Sequence, residues 1–198
     1  VGLASQGIAV LRYEKRTFEH NLKSSLNPNF TVKEETVDDA LAAVKFLQQE
    51  QQIDPAKIFV IGHSQGGMLV PKILEQDQEK SIAGAVMMAA PSIPLEDLLL
   101  WQLNKVLERA KASGQPTEAI EQEIQNWRQF LTVLKDPQYS VDHLPEGVPA
   151  SNLVWWFDFR NYRGQEIARN QSIPLLILQG ENDAQVPAEQ LEDWKKAL

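Results

Sequence analysis

Residues 7–11, 57–61, 82–88 and 173–179 form four short runs dominated by Val, Ile, Leu and other apolar residues, with no polar alternation. A strand with one wet face alternates apolar and polar positions. A continuous apolar run of about five to eight residues instead predicts a parallel strand covered on both faces. Longer amphipathic segments separate the runs. Residues 34–51 put Val37, Leu41, Val44 and Leu47 on one helical stripe, and residues 67–76 open a second helix. The succession strand, helix, strand, helix, strand predicts an α/β fold, with a parallel sheet joined by right-handed crossovers.

Residues 91–172 are too many for a loop in a compact domain, and they carry helical patterns of their own. Leu95, Leu98, Leu99, Leu103, Val106 and Leu107 mark one apolar stripe. Ile120, Ile124, Trp127, Leu131 and Leu134 mark another, and Gly114-Gln115-Pro116 stands between them. The pattern predicts a helical hairpin set into the core, dividing the chain into core segments 1–90 and 173–198 and an inserted helical cap, 91–172. Insertions at the carboxyl ends of parallel strands sit where ligands bind, which favours a lid over a pocket. The alternative is extra core for the sheet.

Charge and composition narrow the function. A formal net charge of -8 offers no concentrated positive surface, so nucleic acid is set aside as a partner. No apolar run approaches the roughly 20 residues of a membrane-spanning helix. The absence of cysteine excludes disulfides and cysteine-ligated zinc and leaves the compartment open.

Directly after the second apolar run comes Ile61-Gly62-His63-Ser64-Gln65-Gly66-Gly67, which contains Gly-x-Ser-x-Gly between a strand pattern and a helix pattern. That context is the one expected of a nucleophile elbow. The serine would occupy a strained turn, with Gly62 and Gly66 relieving the crowding two positions on either side. Its hydroxyl would stand at the end of the strand. The N–H of Gln65, at the start of the following helix, would point at the oxyanion formed when Ser64 attacks a carbonyl.

Asp183 follows the fourth apolar run, in Gln179-Gly180-Glu181-Asn182-Asp183. Loops at the carboxyl ends of parallel strands lie on one sheet edge, so Asp183 and Ser64 are expected to face one site. An aspartate there can orient a histidine base and stabilise its imidazolium. Its ordinary role would be a polar turn residue. Asp158 is the weaker alternative for the triad acid. The expected chain order Ser, Asp, His places the base after Asp183, where the chain has no histidine. His63 adjoins the serine but points elsewhere on the strand, so it is expected to pack beside the elbow. His20 and His143 are expected to be surface or structural residues. Trp155 and Trp156 either line an acyl pocket or cover the sheet.

Residues 2–17 (GLASQGIAVLRYEKRT), the elbow at 61–67 and residues 173–183 (IPLLILQGEND) together resemble the α/β-hydrolase superfamily, and within it the bacterial EstD-like carboxylesterases. The resemblance runs over most of the chain. It implies an α/β-hydrolase core with a helical cap, incomplete at both ends, and hydrolysis of carboxylic esters with short to medium acyl chains. It implies Ser64 as nucleophile, Asp183 as triad acid, Gln65 as one oxyanion donor, a small-molecule ester as partner and no cofactor. The histidine and the second oxyanion donor would then come from segments outside residues 1–198, leaving this chain inactive alone. Uncovered sheet edges would invite a homo-oligomer or a swapped assembly. The same elbow serves thioesterases, peptidases and acyltransferases, and a non-catalytic acyl-binding module is the alternative of another class.

Overall fold

A computed structural model describes residues 2–147 and 153–198; part of the expected cap, residues 148–152, lies outside the described residues. In chain order the elements are a 3-10 turn (Ala4–Gln6), α1 (Arg16–Glu19), α2 (Asn21–Leu26), a π-helical turn (Lys33–Val37) continuing into α3 (Asp38–Gln49), β1 (Phe59–His63) and α4 (Gln65–Gln76). There follow β2 (Gly84–Met88), α5 (Leu95–Ala112), α6 (Glu118–Leu134), α7 (Leu153–Phe159), α8 (Gly164–Ala168), β3 (Leu175–Leu178) and α9 (Gln190–Ala197).

Local chemistry explains the main boundaries. The Asp54 carboxylate accepts the Ala56 N–H at 3.0 Å and starts a 3-10 turn with Pro55 at its head, which delivers the chain into β1. Helix α5 has Glu96 and Asp97 in its first turn and Arg109 and Lys111 in its last, matching the helix dipole at both ends. Gly114 then takes φ 67°, a left-handed turn that reverses the chain toward α6. Helices α5 and α6 pack on each other as a hairpin, and the Trp127 indole N–H donates to the Glu96 carbonyl at 3.1 Å across it. Among the described residues, no helix is long and apolar enough to cross a membrane.

The three strands form a parallel sheet in the order β1-β2-β3, with Phe59 opposite Gly84, His63 opposite Met88, and Met88 opposite Leu178. The chain thus has an α/β architecture, a parallel sheet with crossover helices. Three of the four apolar runs supply these strands. Residues 7–11 do not: they are irregular, and Ile8, Val10 and Leu11 are exposed. Apolar composition suits a strand, but a strand exists only where a neighbour pairs with it, and the ladder among the described residues ends at β1.

Coverage of the sheet also departs from expectation. Successive right-handed crossovers that step in one direction lay their helices on one face. Val60, Ala85, Met87, Leu175 and Ile177 accordingly pack against Val44 of α3, Val70 and Ile73 of α4, Ala168 of α8 and Trp194 of α9 in one cluster. The other face carries Phe59, Ile61 and Leu176, exposed by 58%, 53% and 53%. The runs are therefore continuous in composition but one-sided in burial. A second cluster joins Val32, Met68, Leu69 and Phe159, and a third joins Leu131, Leu134, Leu153 and Phe157. These lead from α4 outward to the helices between β2 and β3.

One-sided burial gives a paired expectation for the 198-residue chain under chemical denaturation. Met87→Ala, at a fully buried position, loses about 2–5 kcal/mol. Ile61→Ala loses less than about 1 kcal/mol, because most of its side chain is already in water. Equal losses at the two positions would contradict the one-sided sheet.

Candidate active site

Strand β1 ends at His63 and α4 begins at Gln65, so Ser64 makes the whole reversal. It does so at φ 54° and ψ -121°, a conformation that costs a non-glycine residue on the order of 1–3 kcal/mol. Backbone bonds on both sides hold it. The Ser64 N–H donates to the Met88 carbonyl at 2.8 Å, tying the turn to β2, and the Ser64 carbonyl accepts the Met68 N–H at 2.9 Å as α4 starts. The side chain makes no cap bond to the helix, which leaves the hydroxyl for other work.

Gly62 is what permits so tight a turn. A Cβ there would lie 2.3 Å from the Gly66 carbonyl oxygen and 2.7 Å from the Gly67 nitrogen, both backbone atoms that cannot move aside. The second glycine of the motif behaves otherwise. A Cβ on Gly66 would meet nothing within 4 Å, whereas one on Gly67 would crowd the Gly62 carbonyl oxygen, Ala90 and the Met88 carbonyl oxygen at 3.0–3.2 Å. The expectation that Gly66 relieves crowding with its own missing side chain is thus corrected. The tight pair is Gly62 and Gly67, because α4 leaves the turn with Gly67 facing back onto β1 and β2.

Gln65 is the first residue of α4, among the helix-start N–H groups that have no intrahelical acceptor. Its side chain is held at both ends: Lys15 Nζ donates to Oε1 at 3.1 Å, and Nε2 donates to Glu35 Oε2 at 3.4 Å.

Asp183 is half-buried in the loop after β3. Oδ1 accepts the N–H groups of Gln185 at 2.8 Å and Val186 at 3.0 Å, and Oδ2 accepts Gln179 Nε2 at 3.3 Å. The Val186 N–H does most to hold the carboxyl below its ordinary range. Partial burial opposes it, while Gln185, Gln179 and the field of His63 add to it. His63, Met88 and Leu178 share one register row, so the turn after β1 and the loop after β3 open on the same sheet edge. Two strand spacings, roughly 10 Å, separate β1 from β3 along that row.

Each histidine lies on the surface. His63 is exposed on the uncovered face of β1, His20 is exposed between α1 and α2, and His143 is exposed and stacked on Tyr139 with ring centroids 6.1 Å apart. Asp158 is exposed on α7, and among the described residues it has no set of donors like the one that orients Asp183. The two tryptophans are half-buried and pack on each other edge to face, with ring centroids 4.8 Å apart. Trp155 turns toward the elbow helix, packing with Met68, Leu69 and Phe159 and donating its indole N–H to Glu35 Oε2 at 2.8 Å. Trp156 joins Trp127 and Phe130 in an aromatic cluster, with centroids 5.2 Å and 5.7 Å away. A hollow of about 750 Å³ lies to one side, walled by Tyr13, Arg16, Asp39 and Phe46 among others, and touches neither Ser64 nor Asp183. The sequence reading missed Glu35. The apolar pattern carried no signal for it: two positions before Val37, Glu35 lies off the stripe of Val37, Leu41, Val44 and Leu47.

A family model described as Hydrolase_4, serine aminopeptidase S33, matches residues 2–198. The chain belongs to this family of α/β-hydrolases. Esterase EstD of Thermotoga maritima is a relative 34% identical over 197 residues; the match takes in 100% of this chain and 43% of that protein. The S33-family chain therefore spans less than half the length of the curated relative it matches. Among solved structures, a Pyrococcus furiosus esterase superposes at TM-score 0.45 with 17% identity over 80% of this chain and 46% of its own. A Mycobacterium tuberculosis puromycin-hydrolyzing peptidase does so at 0.45 with 22% identity over 82% and 19%. Both superpositions are partial, and membership of the S33 family rests on the sequence match.

The glycine geometry makes a prediction of its own. Gly62→Ala forces backbone atoms apart at the elbow and destabilises the chain by about 1–3 kcal/mol or more, while Gly66→Ala stays within about 1 kcal/mol of wild type. Thermal or urea unfolding of the two variants checks the order. Gly66→Ala as the more damaging change would contradict the assigned contact.

Proposed function

We propose that this chain carries the nucleophile and the acid of a serine carboxylesterase acting on esters of short to medium acyl chains. One observation carries the reading: Ser64 is held in a left-handed conformation between β1 and α4, its hydroxyl unused in capping, on the same sheet edge as the loop that fixes Asp183. Such strain is retained where the surrounding structure imposes it, and functional sites are where it clusters. The resemblance to an enzyme named an esterase supports the substrate class.

In this mechanism Ser64 Oγ attacks the ester carbonyl carbon while a histidine takes its proton. That histidine is none of His20, His63 and His143. The carbonyl π pair moves onto oxygen, where the Gln65 N–H and the positive end of α4 stabilise it. Collapse breaks the bond to the alcohol oxygen, which leaves with the proton from the imidazolium. Water then attacks the acyl-enzyme, gives a proton to the histidine, and releases the carboxylic acid as Ser64 regains its hydrogen. Asp183 orients the imidazole and balances its charge. Trp155 and Trp156 form the acyl side of the site, with the α5–α6 hairpin as its lid.

A second reading has one observation in its favour, the aminopeptidase named in the family description. The same steps cleave an amide if the leaving nitrogen is protonated. Comparing an aminoacyl nitroanilide with a p-nitrophenyl ester separates the two.

In the natural protein that carries this sequence, Ser64→Ala lowers kcat/KM for p-nitrophenyl butyrate by at least roughly 10³-fold without moving the melting midpoint. Asp183→Asn lowers it by roughly 10²–10⁴-fold. Since the folded pKa of Asp183 is depressed, its carboxylate is present throughout the neutral range and is lost only as pH falls below the ordinary carboxylate region. The acid limb of the rate profile therefore falls at roughly pH 6–7, where a histidine titrates. Wild-type turnover in Ser64→Ala contradicts the serine mechanism, and a limb near pH 4 contradicts the histidine base.

A further inference from the structure

Glu35 has 8% of its surface exposed and gathers three donors from distant parts of the chain. Lys15 Nζ lies 2.8 Å from Oε1. Gln65 Nε2 and Trp155 Nε1 both reach Oε2, at 3.4 Å and 2.8 Å. Lys15 closes the ring by donating to Gln65 Oε1 at 3.1 Å. The carboxylate thus joins the loop before α1, the first residue of the elbow helix and the aromatic helix α7.

This arrangement is more than an ion pair. Removing the Glu35 carboxylate from water costs free energy that is recovered only if its partners are in place, so although the Lys15 side chain stays 44% exposed, the buried carboxylate holds the half-buried Gln65 and Trp155 to it. Two of those members flank the reaction. Gln65 follows the nucleophile and supplies the N–H toward the oxyanion, and Trp155 packs against the cluster of Val32, Met68, Leu69 and Phe159, two of whose residues belong to the same helix.

We infer that Glu35 is a positioning residue for acyl transfer, setting Gln65 and Trp155 relative to Ser64 by holding both through Oε2. The inference rests on the serine-esterase reading above. The contact between the Gln65 N–H and the substrate oxygen strengthens as negative charge develops on that oxygen, so loosening Gln65 weakens the transition state more than the bound ester. The effect falls on kcat.

The experiment compares Glu35→Ala and Glu35→Gln with wild type in the natural full chain, measuring kcat and KM for p-nitrophenyl acetate and the melting midpoint. Asp38→Asn, which removes an exposed ion pair with Lys33, serves as the surface control. Glu35→Ala is expected to lower kcat roughly 10- to 100-fold with KM within about threefold. Glu35→Gln keeps an oxygen for Trp155 and Gln65 and gives up only the pairing with Lys15, so its kcat falls between the two. The control keeps wild-type kcat. Wild-type kcat in Glu35→Ala overturns the inference, as does a loss confined to KM. If the alanine variant does not fold, Glu35→Gln decides: reduced kcat at an unchanged melting midpoint supports the inference, and wild-type kcat overturns it. Ser64→Ala is assayed alongside. An inactive Ser64→Ala with fully active Glu35 variants defeats this inference alone, whereas an active Ser64→Ala defeats the esterase reading and this inference with it.

Discussion

The chain turns from strand to helix within one residue, and it can do so only because Gly62 lacks a Cβ that would lie 2.3 Å from the Gly66 carbonyl oxygen. That contact forces α4 to start at once, with Ser64 in the left-handed region. Three consequences follow from it. The hydroxyl stands at the strand end instead of capping the helix, the Gln65 N–H comes free beside it, and the tight packing of Gly67 beneath α4 seats the helix on β1 and β2. The unfavourable φ of Ser64 is offset by the bonds to Met88 and Met68 and by the seven buried residues of α4.

Sheet order does the rest of the assembly. Because β2 lies between β1 and β3 and all three run in parallel, the loops after β1 and β3 meet at one edge from opposite sides of the central strand. The same order, through crossovers of one hand, puts the helices on one face and leaves Phe59, Ile61 and Leu176 open on the other. Site and exposed face are two results of one topology. A long-range set of polar contacts from Glu35 then ties the elbow to segments that enter from both sides in sequence.

Much of this was legible in the sequence. The runs at 57–61, 82–88 and 173–179 became strands because each is a short apolar run bounded by turn residues, and the α5–α6 hairpin followed from two 3.6-period stripes interrupted by Gly-Gln-Pro. The run at 7–11 has the same composition and is no strand, since composition does not show whether a partner edge exists. The role of Gly66 was misread for a related reason. Motif spacing says which residues must be small, but which backbone atom each one faces depends on the direction in which α4 leaves the turn. The place of the Asp183 loop, on the same sheet edge as the elbow, was legible because it directly follows an apolar run. Glu35 was not, because its partners lie 20, 30 and 120 positions away and only the folded chain brings them together.

If the elbow makes Ser64 a nucleophile, treating the natural protein with a fluorophosphonate that marks activated serines, with the adduct mapped by peptide mass spectrometry, reveals it. One adduct per chain is expected, on Ser64, lost when the protein is denatured before treatment. An adduct on another serine, or none on a folded and ester-hydrolysing protein, would contradict it.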